Sequence, residues 1–475
     1  MKLIFKFILL VLCFSFSLSQ HNHTGKCSII NNNLRSRPDT DTSAPSPTGH
    51  FLIHYDFNGE DAPSQIDLNN NNIPDYIDEV GIIADSTRNI LVDIMGFLPE
   101  IEDSDGLYDI YIQDRVSGYY GVNYPDPNSS EGSSYIIIDN AYEPGEFLTS
   151  GINTMRLTVA HEFFHAIQRS YRTVPNSDTY FWEMSSTWIE DVIVPDGNDY
   201  IYWVDPLFNN PDQRISDTDG YSIALFGHYL SIIIDGHNNQ FDSNIIKKMW
   251  EVYADIGSPI YSMNSVLSSE YETDFSNAWL NFLSRNHFNG IYNNDDNAFY
   301  YYSDQQYLSP ISSSVNFLNE NIFFDLFVSE ESAAFKTLYL INGGYISLSN
   351  SVIPSASEIN GSIAVISSNN PGLNRLIDVN EDVQYIDSES YLHFSYSGYE
   401  NSIISIEVDC NSDILIIEGD LNSDELVNVQ DIIVMIEFIF NNLFFNEIQF
   451  ESGDLNLDGE CNIFDIIMII DIILD

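Results

Sequence analysis

The pattern of apolar and polar positions changes along the chain and divides it into three folded parts. Between residues 50 and 311, short strand-like runs come first and helical periodicity follows, which predicts an α+β domain. From 312 to 414 the helical period disappears, and short apolar runs separated by Gly, Asn and Ser predict an all-β sandwich. Residues 415–475 return to apolar helical runs and predict a small helical domain, so the chain is multidomain.

The same patterns predict individual elements. Apolar or alternating runs bounded by turn residues predict strands in the first domain at 51–55, 108–112 and 134–139, and in the second at 322–327, 337–341, 361–366 and 402–408. Helical spacing predicts helices at 77–95, 158–167, 181–191, 221–234, 245–256 and 274–285.

The first nineteen residues have the organisation of a secretory signal peptide. Lys2 and Lys6 precede an apolar run over 8–18, and the small residues Ser17 and Ser19 favour cleavage before Gln20. No later stretch has the length of a membrane span without charges, so the sequence predicts an extracellular protein with no transmembrane anchor. The polar residues 20–49 are interpreted as a linker or a short pro-segment.

Three cysteines follow the predicted signal peptide, and an oxidising compartment permits one disulfide among them. Cys461 lies inside an acidic loop and is expected to stay unpaired, which leaves Cys27 and Cys410 as the candidate pair. In the pro-segment interpretation, Cys27 is instead a group that inhibits a metal site.

The charge of the chain excludes one class of partner. The chain has 16 Lys and Arg against 71 Asp and Glu, a net charge of −55, so no basic patch is available to bind a nucleic acid. Acidic disorder is excluded as well, because 44% of the residues are hydrophobic and 13% aromatic, enough for packed cores. We attribute the acidity to solubility in salt and to calcium sites.

A His-Glu-x-x-His motif lies inside the helix predicted at 158–167. Positions i and i+4 share one face of a helix, so His161 and His165 direct two imidazole nitrogens at one point. Zinc takes such nitrogens, and a catalytic zinc keeps one position open for water. Glu162 then faces that water as general base. The alternative is a helix with two ordinary histidines.

A third zinc ligand is expected on the next predicted helix. Glu183 follows His165 by eighteen positions, which leaves room for a loop and a returning helix, and His, His, Glu is a known catalytic zinc set. Glu190 lies two turns further on the same face and is predicted to hydrogen-bond a ligand histidine and fix its tautomer. Asp191 competes for that role. The alternative is a solvated acidic helix face.

Together the two segments resemble the gluzincin metallopeptidases. The resemblance implies a zincin-type fold, zinc bound by His161, His165 and Glu183, and Glu162 as the base. It also implies that the strand at 134–139 is a sheet edge along which a peptide substrate pairs. Trp182-Glu183 is similar to the zinc aminopeptidase branch, but the Gly-Ala-Met-Glu-Asn-type segment of those exopeptidases is absent, which favours an endopeptidase.

The residue sequences of the two segments are more similar to those of one poorly characterised group of proteins. His-Glu-Phe-Phe-His-Ala-Ile-Gln, followed by Glu-x-x-x-x-Trp-x-Glu-Asp, resembles secreted bacterial metalloproteases.

Two side chains on the following helix, Tyr221 and His228, are candidate donors to the oxyanion of the tetrahedral intermediate. The alternative is a structural aromatic residue and a histidine on the helix surface.

A twelve-residue loop at 67–78 has the spacing of a calcium site. Oxygen-bearing side chains stand at its positions 1, 3, 5, 9 and 12: Asp67, Asn69, Asn71, Asp75 and Asp78. Asn72 replaces the usual Gly at position 6, and Asn tolerates the left-handed backbone required there. The alternative is an Asn-rich surface turn.

An internal repeat closes the sequence. Residues 419–433 recur thirty-four positions later at 453–467, and each copy has the same oxygen spacing followed by an apolar helix. The positions are Asp420, Asn422, Asp424, Asn428 and Asp431 in the first copy, and Asp454, Asn456, Asp458, Asn462 and Asp465 in the second. This repeat resembles a type I dockerin, which implies bound calcium and a cohesin domain as partner through 415–475. The alternative is a purely structural calcium module.

Two functions remain open at this point. The first is a secreted zinc metalloendopeptidase that hydrolyses proteins or peptides. The second is a calcium-stabilised adhesion or scaffold-associated protein with a peptidase-like fold and weak or no catalysis. The presence of Glu162 favours the first, because a site that had lost catalysis would not need this base.

Overall fold

The protein is described from a computed structural model. The described residues are 26, 36–103, 105–115, 118–126, 131–293, 301–311, 313–318, 321–329, 331–355, 358–368, 371–379, 384–398, 400–411, 417–422, 426–440, 445 and 447–474. The predicted signal peptide, Cys27 and Asp424 lie outside them. In the described part, no helix is long and apolar enough to cross a membrane.

The first unit contains a five-stranded mixed sheet. Its strands are β1 Thr42–Pro45, β2 Phe51–Tyr55, β3 Tyr108–Ile112, β4 Gly121–Pro125 and β5 Ser134–Ile138. Their order across the sheet is β1-β2-β3-β5-β4. The three inner strands run parallel, and β1 and β4 pair antiparallel at the two edges.

Helices cover the sheet and continue beyond it. They are α1 Asp75–Arg88, α2 Ile152–Tyr171, α3 Thr179–Ile193, α4 Asp205–Asn209, α5 Ala224–Tyr229, α6 Ile245–Ile256, α7 Pro259–Glu270 and α8 Phe275–Arg285. Helix α2 is buried along most of its length, and Phe163 packs edge-on against Phe51 and Tyr108 of the sheet. A helix buried on all sides carries apolar residues around its whole circumference, as the sequence of α2 does.

The expectation that the strand at 134–139 is a sheet edge was wrong. This strand is β5, which lies between β3 and β4, so the edge on this side of the sheet is β4. The register runs from Gly121 opposite Ile138 to Pro125 opposite Ser134. The sequence of β4 contains Gly, Asn and Pro, which are depleted in strands, so its pattern is a weak strand signal.

The second unit is a β-sandwich. Its strands are β6 Val315–Leu318, β7 Ile322–Val328, β8 Ala333–Leu340, β9 Gly344–Ile353, β10 Ile359–Ser367, β11 Arg375–Asp378, β12 Gln384–Ile386, β13 Ser390–Gly398 and β14 Ser402–Asn411. They form two sheets, ordered β11-β10-β13-β8-β6 and β12-β9-β14-β7. Leu338, Phe394 and Ile406 from both sheets share one buried core, so the all-β character predicted for this part is found.

The sandwich packs against α8 and the turn that follows it. Ser276 of α8 hydrogen-bonds Ser397 of β13 with an Oγ–Oγ distance of 2.9 Å. The rings of His287 and His393 stack across the same boundary with their centroids 4.3 Å apart. Both histidines are buried, and burial lowers the pKa of His287 and lowers that of His393 to about 4.

We expect acid to weaken the sandwich through His393. Its pKa is about 6.5 in the unfolded chain and about 4 in the fold, so its contribution to stability is complete above pH 6.5 and lost as the pH falls towards 4. The loss reaches about 3 kcal/mol for a shift of this size. Urea unfolding at pH 7 and 4.5 measures it. A His393→Gln variant should show a pH dependence weaker by about that amount, and an unchanged pH dependence would contradict the prediction.

The C-terminal part is helical and small. Its helices are α9 Val429–Ile439, α10 Glu447–Gly453 and α11 Ile463–Leu474. Leu421, Met435 and Ile469 form the centre of its core. Cys410 and Cys461 are free among the described residues, and Cys461 is buried in this core. The multidomain organisation predicted from the sequence is confirmed.

Candidate metal centre

Two helices bring the three predicted zinc ligands together. His161 and His165 occupy one face of α2, and α3 returns beside it with Glu183. The Glu183 carboxylate oxygen Oε2 lies 3.1 Å from Nε2 of His161 and 3.6 Å from Nε2 of His165. All three side chains are buried, and their ligand atoms lie within 4.8 Å of one another. Two imidazoles and a carboxylate at such spacing form a donor set that suits zinc.

The second nitrogen of each imidazole is held by a hydrogen bond. Nδ1 of His161 lies 3.0 Å from Glu190 Oε2, and Nδ1 of His165 lies 2.7 Å from Gln168 Oε1. The amide group of Gln168 donates to the carbonyl oxygen of Trp182 at 2.9 Å, which fixes its oxygen towards His165. Because each Nδ1 donates its proton to an oxygen, both Nε2 atoms are directed at the metal position.

One buried nitrogen at this position lacks a hydrogen bond. Nε2 of His165 is buried without a hydrogen-bond partner among the described residues. A buried polar atom that no protein group satisfies is costly, and a metal ion at the point where the three ligand atoms converge would satisfy it. The residues present therefore fit a zinc ion.

The electrostatics of the centre favour positive charge. Burial disfavours a charged imidazole, but the hydrogen bonds to Glu183 and Glu190 outweigh it and raise the pKa of His161 to about 9. Burial also disfavours a charged Glu183, but the neighbouring imidazoles of His165 and His161 outweigh it and lower the pKa of Glu183 to about 2. The negative charge that raises the pKa of His161 would also attract a metal cation to the point where the ligand atoms of His161, His165 and Glu183 meet.

The side chain of the candidate base, Glu162 of α2, points towards the edge strand β4. Glu162 is fully buried beside Gly121, the first residue of β4. A Cβ at Gly121 would lie 2.8 Å from Glu162 Cγ and 2.7 Å from Thr158 Cγ2, distances that side chains do not tolerate. Glycine at 121 is therefore what allows the edge strand to pass this close to Glu162.

Tyr221 lies beside the centre and keeps its candidate role. Its ring centroid is 6.2 Å from that of His161. Gly220 precedes it with φ of +88°, and a Cβ there would lie 2.5 Å from Glu183 Cβ. Both the left-handed backbone and the close contact require glycine at this position.

His228 and Asp191 do not take part in the arrangement expected from the sequence. His228 is fully buried, its Nδ1 lies 2.9 Å from Gln240 Oε1, and its Nε2 lies 3.4 Å from Asp191 Oδ2. Burial lowers the pKa of His228 to about 3, so its ring is neutral at pH 7. Its Nε2 faces Asp191 of α3. Asp191 accepts a hydrogen bond from Tyr302. The carboxylate beside the candidate ligand His161 is Glu190, whose Oε2 lies 3.0 Å from Nδ1 of this histidine.

Three residues of the centre were missed in the sequence. Gln168 lies three positions after His165 on the same face of α2. This spacing could have predicted the contact between the two side chains. Gly121 and Gly220 contact the centre only through the folded arrangement of distant segments, and nothing in their sequence surroundings indicates this.

The two C-terminal loops fold alike. In each, the carboxylate at position 12 accepts hydrogen bonds from the backbone N–H groups of positions 2, 3 and 9. The distances are 2.8, 3.1 and 2.8 Å for Asp431 and 3.0, 3.3 and 2.8 Å for Asp465. Both carboxylates are fully buried. The duplication seen in the sequence is therefore also a structural duplication, although Asp424 lies outside the described residues.

The loop at 67–78 has much of the same geometry. Its first carboxylate, Asp67, accepts the N–H groups of positions 5 and 6 at 3.2 and 2.9 Å, and Asp454 does so at 3.0 and 2.9 Å. Asn69 accepts the N–H of position 5 at 2.9 Å, and Asn456 at 2.8 Å. Position 6 has a positive φ in both loops, 68° and 83°. Calcium binding at 67–78 stays a prediction.

Comparison with known proteins identifies the C-terminal part. Residues 418–474 match the Dockerin type I domain family. No curated protein matches the chain. Dockerin domains bind calcium and typically bind cohesin domains, and they are typical of extracellular, cellulosome-type proteins. The C-terminal part of this multidomain chain is therefore a type I dockerin domain.

Proposed function

We propose that the protein is a secreted, zinc-dependent metalloendopeptidase that its dockerin domain attaches to a cohesin-bearing partner. One observation carries the proposal: two imidazole nitrogens and a carboxylate oxygen lie within 4.8 Å of one another in a buried site, with Glu162 next to the first ligand. The hydrogen bonds to Nδ1 of both histidines support it, because they fix the tautomer that a metal ligand needs.

Each residue of the centre has a role in the proposed reaction. His161, His165 and Glu183 would hold the zinc, and a bound zinc would supply a Lewis acid for the scissile carbonyl and for the attacking water. Glu162 accepts the proton of that water and passes it to the leaving amine. The hydroxyl of Tyr221 donates to the oxyanion.

A second candidate function is kept because of the dockerin domain. A chain with this domain and a further calcium loop at 67–78 also fits an adhesion or scaffold-associated protein without catalysis. In both functions we propose that the loops at 67–78, 420–431 and 454–465 hold calcium. The two functions differ in whether the buried centre holds zinc.

Metal content of the purified full chain tests the proposal. We expect one zinc per chain in the wild type and none in His165→Ala, because two remaining ligands do not hold zinc tightly. His50→Ala is the control, since its side chain is exposed, and it should retain the zinc. Elemental mass spectrometry measures all three proteins. A wild type with calcium but no zinc would favour the adhesion function.

A further inference from the structure

A basic side chain from the N-terminal segment is buried beside the metal centre. Lys26 is 1% exposed, and its ammonium group donates a hydrogen bond to Glu190 Oε1 and lies 2.6 Å from Asp199 Oδ2. Its carbonyl oxygen accepts the N–H of Tyr120, the residue before β4, at 3.0 Å. The chain has 16 basic residues against 71 acidic ones, so burying one of them here is a specific feature of the fold.

One carboxylate connects this ammonium group to a metal ligand. Glu190 uses Oε1 for Lys26 and Oε2 for Nδ1 of His161, at 3.0 Å. A charged acceptor on Nδ1 increases the electron density that Nε2 donates to a metal. Glu190 therefore links the ammonium group of Lys26 to the candidate zinc ligand His161.

Burial explains why a cation is needed at this place. Glu190 and Asp199 are each 1% exposed, and buried carboxylates are costly unless a positive charge compensates them. Burial disfavours a charged Lys26, but the carboxylates of Asp199 and Glu190 outweigh it and raise the pKa of the ammonium group. Asp199 also accepts hydrogen bonds from Trp203 Nε1 at 2.9 Å and from the hydroxyl of Tyr120 at 3.0 Å, which fixes its position.

We propose that Lys26 is a positioning residue of the zinc site: it balances the charge of the Glu190 carboxylate and holds that carboxylate against Nδ1 of His161. Lys26 is then part of the centre. Without Lys26, Glu190 and Asp199 repel each other and the hydrogen bond to His161 weakens. This inference rests on the proposed function, because it requires that the centre binds zinc.

A second basic residue of the same segment provides a matched control. The guanidinium of Arg37 bonds Asp109, Asp103 at 2.5 Å and Asp126 at 2.7 Å, and Asp126 directly follows β4. Lys26 and Arg37 thus contact residues at the two ends of β4. Removing Arg37 takes a basic residue from the other end of β4 and leaves the charges around Glu190 unchanged.

Zinc affinity of full-chain variants tests the inference. Competition with a chromogenic zinc chelator gives the dissociation constant for the wild type, Lys26→Met, Lys26→Arg and Arg37→Met, and circular dichroism verifies that each is folded. Groups that orient a metal ligand change metal affinity by about 10- to 100-fold. We expect that loss for Lys26→Met, recovery of most of the affinity in Lys26→Arg, and wild-type affinity in Arg37→Met.

A double-variant comparison shows whether Lys26 acts through Glu190. In a Glu190→Gln background, Lys26→Met should cause no further loss of zinc affinity, because the carboxylate it acts on is already gone. This pair also carries the test if Lys26→Met alone does not fold. Wild-type affinity in Lys26→Met, an equal loss in Arg37→Met, or a further loss in the double variant would overturn the inference. A wild type without zinc would instead overturn the proposed function itself.

Discussion

The proposed function predicts that a Glu162→Gln protein binds zinc as the wild type does and loses peptide hydrolysis by a factor of about 10² to 10⁴. Glutamine has nearly the same shape as glutamate, so it fits the narrow space beside Gly121 and leaves the three ligands in place. It cannot accept the proton of the zinc-bound water, and this is the step that the general base performs.

The measurement combines two assays on the same preparations. Hydrolysis of a labelled, unstructured protein such as casein reports activity, and elemental mass spectrometry reports zinc. Glu251→Gln is the matched control, because Glu251 is an exposed carboxylate on α6 that pairs with Lys247. It should retain full activity. If Glu162→Gln hydrolysed the substrate at the wild-type rate with zinc bound, Glu162 would not be the base.

Helical spacing predicts which of the candidate residues share one face of α2 and which share one face of α3. His161 and His165 are one turn apart, and Glu183 and Glu190 are two turns apart on one face of the returning helix. The choice between Glu190 and Asp191 could not be made, since one position along a helix turns a side chain by about 100°. The orientation of the whole helix decides it.

The contacts that sequence reasoning missed join segments far apart in the chain. Lys26 lies 164 positions before Glu190, and no local pattern relates them. The edge strand β4 was missed because its Gly and Pro weaken the strand pattern, yet Gly121 is needed for its approach to Glu162. At such positions the requirement of the site overrides the local propensity that a sequence shows.

Removal of calcium is expected to unfold the dockerin domain while the rest of the chain stays folded. Asp431 and Asp465 are fully buried and Asp420 and Asp454 are nearly so, and carboxylates at this density repel each other unless a cation binds them. The core they support is small, with Leu421, Met435 and Ile469 at its centre. Calcium at about 1,000 times its dissociation constant stabilises a folded loop by about 4 kcal/mol, most of what a domain of this size has.

Hydrogen exchange followed by mass spectrometry on the full chain measures this directly. With a calcium chelator, amides of α9 and α11 should lose protection, while those of α6 in the first unit should keep it. Adding calcium back should restore the protection. A double variant with Asp420→Ala and Asp454→Ala should lose the protection of α9 and α11 even with calcium present. Each substitution removes the first carboxylate of one loop. Protection of α9 and α11 that is the same with and without chelator would show that the apolar core alone holds this domain together, and that calcium serves another purpose there.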